Sequence, residues 1–344
     1  MVHNTSVPTI EVYPGQLIER ILTLELVRVT ERAAVSAALL RGKGDEKAAD
    51  QAAVDAMRRE LNRLQIDGTI VIGEGERDKA PMLFIGEKVG KGGAKVDIAV
   101  DPLEGTSLCA KDMPGSIAVM AMAEQGTLLA APDVYMHKIA VGPGYPDGIV
   151  DLDAEPEENI LNLAKAKGVP PGEITALILD RPRHEDLIAR LRAMGTRVRL
   201  IHDGDVAGII FTTQPWRTGV DIYIGVGAAP EGVLAAGALR CIGGQMQGRL
   251  ILDDEEALRR ARQMGVTDPN KKYDVTELAS GDVIVAATGV TEGPLLEGVL
   301  FRKDNVIETE TVVYRSATGT VRRIKSEHRE LPKFFLDHVP QSSK

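Results

Sequence analysis

Aromatic residues make up only 3% of this 344-residue chain, with a single tryptophan. A base-stacking surface for single-stranded nucleic acid needs more than that. Cysteine is equally scarce: Cys109 and Cys241 each stand without a Cys-x-x-Cys partner. A disulfide framework is thereby excluded, a cysteine zinc site nearly so, and a reducing cytoplasm is the expected compartment. Positive charge is in deficit, with 41 Lys and Arg against 50 Asp and Glu and a net charge of −9. A protein built to grip nucleic acid or an anionic membrane carries the opposite balance. No window of about 20 residues is apolar and uncharged, so no membrane span is expected. The run 282–301 comes nearest, and Glu292, Gly293, Pro294 and Glu297 interrupt it. The N-terminus also lacks the basic patch and apolar run of a signal peptide.

What is present is the composition of a globular enzyme, 44% hydrophobic and 26% charged. At a prior of about 150 residues per domain the length means two domains or one large one. We place a boundary at the Gly/Pro-rich link 168–172, giving residues 1–168 and 169–344. Helical spacing of Leu17, Ile21, Leu24 and Val27 predicts a helix from Gln16 to about Leu40, after a loose arm. A second is expected over 48–65, with Val54, Met57, Leu61 and Leu64 as its stripe. Asp50 precedes that stripe, as a helix-capping acid or as something with a partner to meet. Strands are expected at 69–73, 96–100, 116–123 and 127–131. From 176 to 241 strand and helix alternate, the pattern of βαβ units and a partly parallel sheet. Strands at 282–287, 308–315 and 320–325 close the chain, the last two as a hairpin. Met120, Met122 and the Met246 region read as core, and Trp216 as packed beneath a loop.

Three acidic clusters stand at the ends of predicted strands. They are Gly73-Glu74-Gly75-Glu76, Asp101-Pro102-Leu103-Glu104-Gly105-Thr106, and Glu231 in Ala229-Pro230-Glu231-Gly232. Strand ends open into the crevice where such folds bind ligands. In the second cluster Pro102 sets a turn, so that Asp101 and Glu104 can aim at one point. Gly105 allows close backbone approach, and Thr106 adds a hydroxyl and an amide at a possible helix start. Carboxylates attract hard cations, while amides and hydroxyls attract phosphoryl oxygens, so this hexapeptide holds both halves of a metal-assisted phosphate site. Taken alone, the first and third clusters read as a loop and a helix-start acid.

Taken in order, Asp50 and the three clusters resemble the lithium-sensitive phosphatase superfamily of inositol monophosphatases and fructose bisphosphatases. Within it the chain closely resembles the bacterial class II fructose-1,6-bisphosphatases, from about Leu22 to His328, with matching stretches that include 44–57, 67–86, 96–106 and 225–241. The resemblance implies an α/β sugar phosphatase fold, a layered α-β-α-β-α sandwich with two sheets. It places the metal and catalytic motifs in the first domain, and the sugar-phosphate contacts and one metal ligand in the second.

The resemblance further implies hydrolysis of the 1-phosphate of fructose 1,6-bisphosphate by metal-activated water, in gluconeogenesis. Asp50 and Glu74 would hold one divalent cation, and Asp101, Glu104 and Glu231 another, with Mn²⁺ or Mg²⁺ at two or more per subunit. Thr106 would orient the water and Asp78 assist. The substrate would lie against Glu104, Gly105 and Thr106, Tyr135, Arg181, Pro182 and Arg183, Asp203, Gly204 and Asp205, and Ala228. A homo-oligomer, dimer or tetramer, is also implied. The chain departs from the family in three places: Glu46 stands where many relatives have lysine, with Lys47 one later; Arg181 replaces a lysine; and Ala228 replaces a glycine. The physics of the residues agrees, because five converging carboxylates stay ionised only around cations, and all-oxygen donors suit Mg²⁺ or Mn²⁺. Rival readings are a dual fructose-1,6-/sedoheptulose-1,7-bisphosphatase, an inositol phosphate or nucleotide phosphatase, and a non-catalytic sugar-phosphate binder.

Overall fold

The computed structural model describes residues 14–75 and 81–329. The chain opens with helices α1 (Pro14–Ala38) and α2 (Glu46–Leu61), then strands β1 (Ile66–Ile72), β2 (Lys88–Val89) and β3 (Ala94–Glu104). A short helix α3 (Thr106–Ala110), strands β4 (Ile117–Glu124) and β5 (Tyr135–Val141) and helix α4 (Pro156–Lys167) follow. Next come β6 (Thr175–Leu179), α5 (Glu185–Ala193), β7 (Arg197–Ile201), α6 (Asp205–Phe211), α7 (Pro215–Thr218), β8 (Ile222–Ala228) and α8 (Ala229–Arg240). The remainder comprises β9 (Gln245–Leu250), α9 (Glu255–Gln263), β10 (Tyr273–Asp274), α10 (Val275–Leu278), β11 (Val283–Gly289), β12 (Leu300–Phe301), β13 (Ile307–Arg315) and β14 (Thr320–His328).

These strands form two mixed sheets. The first runs β12-β13-β11-β4-β3-β1-β2, with β14 on the far edge of β13; the second runs β10-β9-β5-β8-β6-β7. Helices α1 and α2 pack on the outer face of the first sheet through Leu26, Val35, Met57 and Leu61, all buried against strand residues such as Ile98 and Met120. Between the sheets lies α8, whose Val233, Leu234 and Leu239 share a core with Val119 and Val285 of one sheet and Met136 and Tyr223 of the other. Between Glu231 in its first turn and Arg240 at its end, that helix is apolar on all sides, as a helix enclosed on both faces must be. It is also rich in small residues: a Cβ on Gly237 would lie 3.2 Å from Val285 Cγ2, and one on Gly232 would lie 2.7 Å from Met136 Sδ. Ile160, Leu163 and Leu191 of α4 and α5 close the outer face of the second sheet over Ile178 and Ile222. The result is the expected α-β-α-β-α layering.

The boundary at Gly168 does not divide the sheets. The first sheet takes strands from 66–124 and 283–328, the second from the residues between. Residues 127–131, expected as a strand, make only an isolated bridge between Leu128 and Ala279. The first donor of the segment is used elsewhere, because Asp97 Oδ2 accepts from the Thr127 amide (3.2 Å), as it does from that of Gly126 just before it (2.7 Å). Strand β5 was not legible because His137 and Lys138 break its apolar run; Lys138 is nonetheless fully buried. Trp216 is not packed beneath a loop; it stands 80% exposed on the one-turn helix α7. The three methionines expected in the core are there.

Candidate active site

Strands β1 and β3 are parallel neighbours, so their C-terminal ends open on the same edge. After β1 the chain turns through Gly73, where a Cβ would lie 2.0 Å from the Leu83 carbonyl oxygen. Only glycine fits, and Glu74 follows at the mouth. At the end of β3 the ladder to β4 is broken, with Asp101 opposite Val119 and Glu104 opposite Ile117. Such a bulge re-aims side chains. Here it presents Asp101 and Glu104 together, and Leu103 N–H donates to Asp101 Oδ1 at 3.2 Å to hold the turn. Gly105 takes φ +78°, in the left-handed region, and hands the chain to α3 with Thr106 as its first residue. The cap of α2 is Asp45, which accepts from Ala48 N–H at 3.0 Å. Asp50 is therefore not the helix cap, and it faces the crevice. Glu231 arrives from the other sheet, in the first turn of α8 behind Pro230.

All five expected metal-binding carboxylates line one cavity of about 320 Å³, with Gly105, Thr106, Asp133 and Asp203 also on its wall. Asp101, Glu104 and Glu231 each offer an oxygen within 4.8 Å of the other two. Burial is the main cause that raises every one of the five pKa values, and neighbouring carboxylates add to it. Asp50 rises to about 6, Glu231 to about 8 and Glu74 to about 9. Asp101 and Glu104 are also raised, Glu104 well above the carboxylate range, by burial and by the charge of Asp101 beside it. Glu231 Oε2 is buried with no hydrogen-bond partner. A buried carboxylate oxygen without a donor is costly, and a cation is the partner that satisfies it. The cavity lining contains no histidine or cysteine, and oxygen-only donors fit Mg²⁺ or Mn²⁺.

The other expected residues fall into separate places. Asp203 reaches the cavity wall and accepts from Ser107 Oγ at 2.7 Å. Gly204 lines a smaller adjoining cleft of about 220 Å³. Tyr135 and Ala228 face each other in the β5–β8 ladder, and Arg183 stacks on the Tyr135 ring at 4.8 Å. Arg183 donates from Nε and Nη2 to the Val226 carbonyl at 3.1 and 2.8 Å. Arg181 donates to the Asp180 carbonyl at 3.1 Å and precedes the single turn Pro182–His184, which Pro182 opens and which carries Arg183. That turn is pinned by His184, buried, whose Nδ1 meets the Leu179 carbonyl at 2.7 Å and whose Nε2 accepts from Val226 N–H at 2.8 Å. The carboxylate of Asp205 is buried on Lys138 and does not line the acidic cavity. Asp78 lies outside the described residues. Asp133 and Lys138 were not singled out from the sequence as site residues. Asp133 carries the only usable signal, an acid two residues before Tyr135 at a bend.

A cavity walled by acids at strand ends, with a threonine opening a helix on its rim, can hold divalent cations beside a phosphoryl group. The profile of the family described as bacterial fructose-1,6-bisphosphatase, glpX-encoded, matches residues 20–328. The chain belongs to that family, whose members are hydrolases of carbohydrate metabolism. It is 47% identical over 324 residues to fructose-1,6-bisphosphatase 1 class 2 of Escherichia coli (strain K12), covering 90% of this chain and 95% of that one. It is 45% identical over 333 residues to the D-fructose 1,6-bisphosphatase class 2/sedoheptulose 1,7-bisphosphatase of Synechococcus sp. (strain JA-3-3Ab), covering 89% and 95%. Among solved structures, the extragenic suppressor protein suhB of Bartonella henselae overlaps at a TM-score of 0.32 and 15% identity, over 56% of this chain and 73% of that one. No helix of the described residues is long and apolar enough to cross a membrane.

Proposed function

We propose that this chain hydrolyses the 1-phosphate of fructose 1,6-bisphosphate, releasing fructose 6-phosphate and inorganic phosphate. The observation that carries the reading is the convergence of Asp50, Glu74, Asp101, Glu104 and Glu231 on one cavity in a chain of this family. Asp50 and Glu74 hold one Mn²⁺ or Mg²⁺, and Asp101, Glu104 and Glu231 another. The cations supply charge neutralisation for the phosphoryl group and lower the pKa of a water. Thr106, on the rim beside Glu104, orients the attacking water with its hydroxyl. Asp203 borders the same cavity and meets the sugar, with Gly204 beside it. Tyr135 and Arg183 form a flat, cationic face outside the acid cavity. With Arg181 they receive the distal phosphate, since a guanidinium pair suits an anion that five carboxylates repel.

Sedoheptulose 1,7-bisphosphate is a second substrate in this reading, favoured by the double name of the Synechococcus relative. We also place the chain in the cytoplasm as a dimer or tetramer. Cys109 and Cys241 are both buried, in keeping with a reducing compartment. Phosphate release from a panel of sugar, inositol and nucleotide phosphates, with and without Mn²⁺ or Mg²⁺, tests the substrate and the metal together. Hydrolysis in ¹⁸O-labelled water should place solvent oxygen in the released phosphate. Label carried by the protein rejects direct attack by water, and a folded, metal-loaded chain that cleaves no sugar bisphosphate rejects the whole reading.

A further inference from the structure

Lys138 sits in the middle of β5 with no exposed side-chain surface. A lysine is almost never buried to this degree unless it is paired. Its ammonium meets Asp205 Oδ2 and donates to the Ala228 carbonyl oxygen at 2.8 Å. The Tyr223 hydroxyl lies 3.3 Å from the same Asp205 oxygen. Glycines make room for the pair. A Cβ on Gly227 would lie 1.8 Å from Asp205 Oδ2 and 2.9 Å from Lys138 Nζ, and one on Gly232 would lie 3.2 Å from Lys138 Cδ. Neither Lys138 nor Asp205 lines the acidic cavity; the pair lies behind its wall.

Each arm of the pair ends one step from a carboxylate of the cavity. Asp205 is the first residue of α6, and the amide of the next residue, Val206, donates to Glu104 Oε1 at 2.7 Å. Ala228 is the residue before α8, whose first turn carries Glu231. Glu104 and Glu231 come from different sheets, and their separation depends on how the start of α6 is seated against the β8–α8 junction. Lys138 is the side chain that bonds both.

We propose that Lys138 is a positioning residue: its buried ammonium ties Asp205 to Ala228 and thereby sets the spacing at which Glu104 and Glu231 share a cation. The inference rests on the metal reading above. It also reassigns Asp205, which the family resemblance placed against the sugar. Partners behind metal ligands typically change metal affinity by about ten- to a hundredfold when removed.

The test uses the full chain and Mn²⁺ as the probe. Mn²⁺ binding is measured by calorimetry, and kcat and KM at saturating Mn²⁺, for wild type, Asp205→Asn and Lys138→Met. Cooperative thermal melting is checked first. Asp205→Asn keeps the shape and an acceptor oxygen but removes the charge that holds the ammonium. The expected result is Mn²⁺ binding weakened about tenfold or more in each folded variant, with KM for fructose 1,6-bisphosphate within about twofold of wild type. Unchanged Mn²⁺ affinity in a folded variant overturns the proposal. So does a raised KM with intact metal binding, which returns Asp205 to the sugar. If neither variant folds, the pair is a folding determinant and the positioning role falls. Wild type that binds no Mn²⁺ instead fails the metal reading itself.

Discussion

Ser107 donates its hydroxyl to Asp203 across 96 residues of sequence, at 2.7 Å. The bond joins the helix that begins at Thr106 to the loop after β7, and so ties the rim of the acidic cavity to the second sheet. Removing it leaves Asp203 with the Gly204 amide at 3.1 Å. Ser107→Ala is expected to cost about 1 kcal/mol of stability. It should also lower kcat, because Thr106 loses a fixed neighbour. Thermal melting with steady-state kinetics checks both; an unchanged kcat would separate this bond from catalysis.

Glu104→Gln should fold normally and lose activity. A glutamine carbonyl can still accept from Val206 N–H, so the architecture keeps its link while a cation bound at the proposed site would lose an anionic ligand. A loss of about 4 kcal/mol of transition-state stabilisation corresponds to roughly a thousandfold in kcat. Far-ultraviolet circular dichroism beside a phosphate-release assay decides it, and undiminished turnover rejects Glu104 as a ligand.

The raised carboxylates make the metal-free protein sensitive to alkali. Asp50, Glu231 and Glu74 have folded-state pKa values of about 6, 8 and 9, each above the ordinary carboxylate range. The unfolded chain therefore releases these protons at lower pH than the folded chain does. Stability from keeping them protonated is fully present below about pH 4 and is lost as pH rises through 6, 8 and 9. In chelator-treated protein the melting temperature should fall between pH 5 and pH 9 on this account. Mn²⁺ should restore it, by a larger increment at pH 9 than at pH 6, because the metal binds the ionised form. A metal-free melting temperature that climbs over that range contradicts the assignment.

Arg183→Ala should raise KM for the bisphosphate roughly ten- to a hundredfold, the worth of a charge-assisted contact, with Mn²⁺ binding unchanged. Arg183→Lys should recover only part of this. Lysine keeps the charge but not the fork that meets the Val226 carbonyl twice, nor the stacking on Tyr135. Kinetics at saturating Mn²⁺ separate the two; a fully active lysine variant would mean charge alone matters.

Trp216→Ala should change stability by no more than about 0.5 kcal/mol, since an exposed side chain contributes little. With 80% of its surface free, Trp216 should also show a red-shifted emission readily quenched by iodide. A large drop in melting temperature would show that something covers it.

The five acids that line the cavity stood out in the sequence as acids at strand and helix ends, although only the family resemblance joined Asp50, Glu74 and Glu231 to the Asp101–Thr106 cluster. Gly73 and Gly75 flank Glu74, Pro102 sets the turn between Asp101 and Glu104, and Pro230 precedes Glu231 at a helix start. Asp50 showed as an acid at the head of an apolar stripe, although only the bond from the Ala48 amide to Asp45 Oδ1 removed the capping alternative. Strand β5 was hidden because a buried lysine looks like an exposed one until its partner, 67 residues away, is known. Trp216 was misjudged for a related reason: its residue type predicts burial, while a four-residue helix at the surface offers nothing to bury it against.

Sequence alone determined the local features: turn residues, strand ends, the acids that close them and the acidic balance, since each depends on neighbours a few positions away. Tertiary structure decided which strands share a sheet, that 283–328 returns to complete the first sheet, and that Lys138 joins Asp205 to Ala228. Those outcomes depend on contacts between distant segments. Their energies come from burial and pairing across the whole fold, which no short stretch of chain encodes.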